Sequence, residues 1–252
     1  MHDLVIARYD EDLRWIEEVP ACYFVTIFNK GQPLTDRSVL NRADFVYQTT
    51  NRGFESETYI RHIIDGPEAK SEYTVFSQGN PLEHSPDFIS LLDRSSSWDA
   101  VQPLSWCWKR DRGIPPEEVL TAAQAELPYN GQRIRPEPFS LFTWNPVAFY
   151  DWGAYNIARI YREKHGLALG TNLASHFLGL CGNRSLAIEA LGHQVGTFSY
   201  GGLFAVTTDR LASLRNKHGE QMWQFATEDS IYGYMLERLW LHMFGVAFKC
   251  AK

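Results

Sequence analysis

The sequence predicts an α/β protein, a single domain with a central, mostly parallel twisted sheet flanked by helices. Three observations carry this. Residues 1–95 alternate short apolar runs with helical stretches, the order expected of parallel strands joined by crossover helices. The runs are continuously apolar rather than alternating, as strands buried on both faces are. The chain of 252 residues, 44% apolar and 21% charged, is long enough to bury one large core. No repeat, low-complexity tract or linker divides it, so residues 1–252 read as one domain, with 1–95 as one half and 96–252 as the other.

The elements follow in order. Leu4-Val5-Ile6-Ala7 is the first strand. Asp10 or Asp12 can cap a short helix carrying Leu13, Trp15 and Ile16, which Pro20 stops. Tyr23-Phe24-Val25-Thr26-Ile27-Phe28 is the second strand, and Asn29-Lys30-Gly31 turns out of it. Residues 32–52 predict a loop with a short strand near Phe45-Val46-Tyr47. A helix over 58–64 puts Tyr59, Ile60, Ile63 and Ile64 on one face, and Asp65-Gly66-Pro67 ends it. Tyr73-Thr74-Val75-Phe76 is a third buried strand. It opens into the turn Ser77-Gln78-Gly79-Asn80-Pro81, then His84 and a helix over 86–92. Residues 95–145 lose any clear period, with one short helix over 116–124. Helices follow over 154–164 and 173–180, and 186–200 hold a short helix or strand. Gly201-Gly202 leads into the strand Leu203-Phe204-Ala205-Val206, and Glu228-Asp229 stand just ahead of a helix over 234–240.

Composition excludes several classes. The net charge of −6, without a basic run, argues against a nucleic-acid partner. Cys22, Cys107, Cys181 and Cys250 are far apart and form no CxxC, so neither a metal finger nor a redox motif is expected. Free thiols suit a reducing compartment. The chain enters a strand almost at once, and no apolar run approaches the ~20 residues of a membrane span. The expectation is a cytoplasmic protein with no signal peptide and no membrane span. Dinucleotide, P-loop, nucleophile-elbow and HExxH zinc motifs are all absent. Aromatic residues at 14%, including eight Trp, suit either a cleft wall or a large core.

Ligands of parallel sheets sit beyond the carboxyl ends of the strands. That singles out Arg8 and Asp10, Asn29 and Lys30, then Gln78, Asn80 and His84. Arg8 matches phosphate geometry, or makes a structural salt bridge. The window from Gly201-Gly202 to Trp240 reads as one wall of a site. Glu228 and Asp229 there are a general-base pair, or acids favoured by a helix N-terminus. Glu237 and Arg238 point ~100° apart on their helix, so one faces the cleft and the other solvent. Glu55, just ahead of a helix, is a site acid or a capping acid.

Several segments together resemble a known family. They are Asp3-Leu4-Val5-Ile6-Ala7-Arg8-Tyr9-Asp10-Glu11-Asp12-Leu13-Arg14-Trp15, Ile27-Phe28-Asn29-Lys30-Gly31 and Asn51-Arg52-Gly53-Phe54-Glu55 before Thr58-Tyr59-Ile60-x-His62-Ile63. Tyr73-Thr74-Val75-Phe76-x-Gln78-Gly79-Asn80-Pro81, Gly202-Leu203-Phe204-Ala205-Val206 and Gly233-Tyr234-x-Leu236-Glu237-Arg238-Leu239-Trp240 complete the set. The pattern resembles an uncharacterised-domain family that is in turn similar to glycosyltransferases of the A fold. It covers the start, the middle strand and the last third, but not residues 95–195. The resemblance implies a nucleotide-sugar donor, a UDP-sugar by default, and a glycan or other hydroxyl acceptor, and inversion is favoured because a base is available on the acceptor side. Arg8, Asp10, Arg52, Glu55, Gln78, Asn80 and His84 would then be donor-binding. Gly201, Gly202 and Arg238 would lie on the acceptor side, and Asp229, Glu228 or Glu237 would be the catalytic base. Many such enzymes hold a divalent metal with Asp-x-Asp after a central strand. Here Gln78 and Asn80 stand in that place, and amides are poorer ligands for a hard cation than carboxylates. No standard metal site is present, so metal-independent transfer is expected, with Mn or Mg left open. Where relatives read Gly-Arg-Glu this chain has Gly53-Phe54-Glu55, so Arg52 would substitute for the missing Arg. The alternatives are a non-catalytic nucleotide- or carbohydrate-binding domain and a hydrolase using paired carboxylates.

Overall fold

The computed structural model of the chain describes residues 1–66, 71–106 and 134–250. The helix expected over 116–124 and Cys107 lie outside them. The strands are β1 (His2–Arg8), β2 (Tyr23–Asn29), β3 (Phe45–Gln48), β4 (Tyr73–Gln78), β5 (Val101–Pro103), β6 (Glu137–Ser140), β7 (Val195–Phe198) and β8 (Phe204–Thr207). The helices are α1 (Arg37–Arg42), α2 (Phe54–Asp65), α3 (Phe88–Leu92), α4 (Trp152–His165), α5 (Leu173–Leu180), α6 (Arg184–Leu191), α7 (Thr208–Glu228) and α8 (Ser230–Met243). Six strands form one sheet in the order β3-β2-β1-β4-β8-β5, and β6 pairs with β7 separately. β3, β2, β1 and β4 are parallel, and β8 runs antiparallel to both β4 and β5. Strands from both ends of the chain thus complete one mostly parallel sheet.

The continuous apolar runs are explained by cover on both faces. Val5 and Ala7 join Phe28, Phe76 and Phe204 beneath α2 and α8, against Tyr59, Ile63, Met235 and Trp240. Leu4 and Ile6 face the other way, with Val25, Ile27 and Val75, onto Trp15, Ile16, Val39 and Phe88. The register sets Arg8 opposite Asn29 and Ala7 opposite Gln78. The carboxyl ends of β1, β2 and β4 are therefore flush along one edge.

Several elements differ from the sequence reading, among them α1 in the stretch read as a loop and β5 and β6 in the stretch read as irregular. The stretch after Asp12 is a single 3-10 turn, Arg14–Glu18, because only Trp15 and Ile16 in it have a core to reach. Residues 186–200 supply both the end of α6 and β7. α7, 21 residues long, likewise has no counterpart in the sequence reading. Its buried stripe is thin, Leu211, Leu214, Met222 and Ala226, and polar residues fill the rest. It is held by packing on α2 and α8 rather than by a strong apolar period. Among the described residues no helix is long and apolar enough to cross a membrane.

Candidate active site

The site is built on a left-handed turn. Gly53 at φ 61° and Phe54 at φ 50° lead into α2. A non-glycine residue held there costs on the order of 1–3 kcal/mol. The buried Lys30, just past β2, supplies the restraint. Its ammonium donates to the Arg52 carbonyl at 3.0 Å, to the Phe54 carbonyl, and to the Glu57 carboxylate at 2.8 Å. The turn sets Glu55 in the first turn of α2, at the carboxyl edge of the sheet.

The opposing wall is the turn Tyr200–Gly202 that enters β8. Both glycines have φ 64°, the left-handed region that side chains avoid. Space is as limiting as backbone. A methyl group on Gly201 would lie 2.7 Å from His84 Cδ2 and 3.0 Å from Gln78 Nε2. One on Gly202 would lie 3.3 Å from Tyr59 Cε2 and 3.9 Å from Glu55 Cγ. The Gly201 N–H donates to Glu237 Oε1 at 3.2 Å. Glu55, Glu237, Tyr59, Gln78 and His84 therefore meet at this glycine pair, on side chains from α2, α8 and the exit of β4.

Electrostatics sharpen the picture. Burial, and then the charge of Glu237, push the Glu55 carboxyl up to about 7. Burial also raises Glu237, against the pull of Arg238. Both carboxyls therefore hold a proton more readily than an exposed glutamate does. Tyr59 is raised well above the usual phenol range by burial and by both carboxylates. Its hydroxyl is buried and has no hydrogen-bond partner among the described residues. Burial lowers His84 to about 4, so its ring is neutral, and its buried Nδ1 is likewise unpartnered. Two unpaired polar atoms beside two protonatable carboxylates suit a polar, hydroxyl-bearing ligand. A carboxylate titrating near neutrality can take a proton from such a hydroxyl.

The remaining sequence-selected residues are placed as follows. Asn80, exposed, begins the turn beyond β4, and its carbonyl accepts from Gln78 Nε2 at 3.3 Å. Arg8 engages its guanidinium with Asn29 Oδ1 at 2.7 Å and the carbonyls of Glu11 and Gln32. Asp10 and Arg52 are exposed. Arg238 does not face solvent. It is buried, donates to Asp151 Oδ2 at 2.9 Å, and lies 4.0 Å from the centre of the Phe198 ring. Helical geometry allows this because Glu237 and Arg238 both look inward, toward different partners. Glu228 ends α7, and Asp229 caps α8 by accepting from the Ile231 N–H at 3.0 Å. Asp229 also accepts from Lys164 Nζ at 2.6 Å, and these bonds hold its carboxyl below the usual range, the Ile231 bond most.

Sequence reasoning missed Tyr59 and Glu11 as site residues. Tyr59 follows Glu55 by four positions, so the two share a helix face, which was a usable signal. Glu11 accepts the Tyr9 N–H at 2.7 Å and the Asp10 N–H at 3.0 Å, lies against Gly79, and adds to the rise of Glu55. Trp15 Nε1 donates to the Gly79 carbonyl at 2.9 Å, so the Gln78-Gly79-Asn80 turn is pinned from below. Among the described residues no three His, Cys, Asp or Glu side chains converge as a metal ion would require.

Compared with known proteins, the chain matches no family model, and no curated protein or solved structure is significantly similar to it.

Proposed function

We propose that the protein is a nucleotide-sugar-dependent glycosyltransferase of the A fold acting on a hydroxyl acceptor. The observation that carries the reading is the Glu55–Glu237 pair at the glycine turn, on the carboxyl edge where open parallel sheets bind ligands. The motif resemblance described above supplies the donor class. In this reading the acceptor O–H gives its proton to Glu237 or Glu55. The acceptor oxygen bonds to the anomeric carbon as the bond to the diphosphate oxygen breaks, and that oxygen keeps the electron pair. The side-chain amides of Gln78 and Asn80, with the exposed Arg52, are the groups offered to the donor. Arg8 is engaged internally, so its role is to hold the ends of β1 and β2.

The test is nucleoside diphosphate release from UDP-, GDP- and dTDP-sugars with mixed glycan acceptors, with and without manganese. Glu237→Gln and Glu55→Gln should each lower turnover by about 10²–10⁴-fold. Donor binding without release by the wild-type protein would make it a binding domain. Because Arg8 and Lys30 are engaged internally, a carboxylate-pair hydrolase is the second reading, and sugar release with no nucleotide donor would establish it.

A further inference from the structure

α2 packs over β1 and β4, and beyond it the same face of the sheet is open. Phe45 and Tyr47 of β3 stand there 43% and 47% exposed. Their ring centres lie 6.0 Å apart with the planes 21° from parallel, and Phe28 continues the row 5.3 Å from Tyr47. Between this row and α2 lies a cavity of about 370 Å³, within the ~300–1,000 Å³ of small-molecule sites. Its other wall carries Arg61, His62 and Asp65. His62 is only 9% exposed, and its Nε2 has no hydrogen-bond partner among the described residues. Thr49, also lining the cavity, has a buried Oγ1 that likewise has none among them. Buried polar atoms left unpaired are rare, and two in one cavity point to a hydrogen-bonding ligand.

The wall chemistry selects its class. A row of exposed aromatic rings offers apolar surface to the C–H groups of a sugar ring, while the α2 side offers donors and acceptors at its rim. Arg61 is engaged by Glu57 through Nε and Nη2 at 2.9 and 2.7 Å, and Asp65 adds a carboxyl to the rim, so the cavity has little to attract an anion. We infer that this groove is a second binding site, for a neutral carbohydrate chain whose successive rings stack on Phe45 and Tyr47. The ligand's hydroxyls would meet His62 Nε2, Thr49 Oγ1 and Asp65. His62 is seven residues from Glu55 on α2, roughly 10 Å along the axis, so the groove is separate from the carboxylate pair. The site stands on its own cavity and goes beyond the transfer reading.

Saturation-transfer NMR on the full chain, without any donor, tests it with neutral hexasaccharides of β-1,4-glucose, α-1,4-glucose, α-1,6-mannose and β-1,4-N-acetylglucosamine. At least one should bind, and Phe45→Ala with Tyr47→Ala should weaken it tenfold or more. Both side chains are on the surface, and an unchanged circular dichroism melt will show that the fold is kept. Thr49→Val should weaken binding about threefold, and Glu55→Gln should leave it unchanged. No binding by any hexasaccharide overturns the inference, as does binding that survives the double variant. Binding lost in Glu55→Gln would also overturn it, by placing the glycan at the carboxylate pair. Failed turnover with intact binding would count against the transfer reading alone.

Discussion

In the first turn of α2 two glutamates, two positions apart, meet opposite surroundings. Glu57 is buried, and burial alone would raise its carboxyl, yet Lys30 at 2.8 Å and Arg61 at 2.7 Å bring it below the usual range. Glu55 has burial too, but its strongest charged neighbour is Glu237, and it rises to about 7. Lys30 is itself lowered by burial, despite Glu57, because it is fully enclosed with one close carboxylate while Glu57 has two cations. The difference teaches what each acid is for. The Glu57–Lys30 pair fixes the strained Gly53-Phe54 turn through the carbonyls of Arg52 and Phe54. Glu55, presented by that turn, is left with a carboxyl that gains and loses a proton near neutral pH.

The largest effect expected from breaking this comparison is on the structural acid. Glu57→Gln leaves a buried ammonium without its counter-charge and should cost about 3–5 kcal/mol of stability, measured by urea unfolding. Lys30→Met combined with Glu57→Gln should cost less than the two single losses added, since the unpaired charge disappears. A loss under about 1 kcal/mol for Glu57→Gln would mean that the turn is held by something else. The pH sign is set by the lowered carboxyl. The stabilisation from Glu57 is present above about 4.5 and is lost as pH falls through the folded value.

Glu55 should behave in the reverse sense. Its carboxyl is raised in the folded state, so its contribution to stability is present below about 4.5 and is lost as pH rises through about 7. Glu55→Gln should therefore leave thermal stability unchanged at pH 4 and raise it at pH 8.5. The gain should be up to about 3 kcal/mol, shared with Glu237. Under the proposed transfer reading, a site acid whose removal stabilises the protein while lowering turnover would show the trade between activity and stability. If the variant is no more stable at pH 8.5, Glu55 is not held near Glu237.

What the sequence made legible follows from the range of each signal. Buried strands announce themselves locally, so the expected β1, β2 and β4 fall within two residues of their observed ends. The glycine pair before β8 was legible because two adjacent glycines before an apolar run mark close approach. Glu55 and Glu237 were both named, but in separate roles, because their meeting depends on the packing of α2 against α8 and no local pattern encodes it. α7 escaped because its polar surface hides a thin apolar stripe. Arg8 is ambiguous in the sequence for a physical reason. A guanidinium at a strand end suits phosphate, and it suits the carbonyls and amide that close the neighbouring strand ends equally well.

A smaller comparison lies along α8, between Asp229 at its start and Glu237 two turns on, roughly 12 Å along the axis. Both were candidate bases. Asp229 has the partners of a cap, the Ile231 N–H and the half-exposed Lys164. Removing the cap costs about 1 kcal/mol, and an exposed ion pair adds ~0.2–1 kcal/mol. Asp229→Ala should therefore lower the melting temperature by a few degrees, and Asp229→Asn, which keeps a capping oxygen, by less. Since its carboxyl is held low by these bonds, its share of stability is lost only as pH falls below about 4. A base with so low an affinity for protons is poorly matched to neutral pH, so Asp229→Asn should keep turnover within about threefold of wild type. If that variant melts normally yet loses turnover a hundredfold, the proton acceptor sits at the start of α8, and the Glu55–Glu237 pair is a binding surface instead.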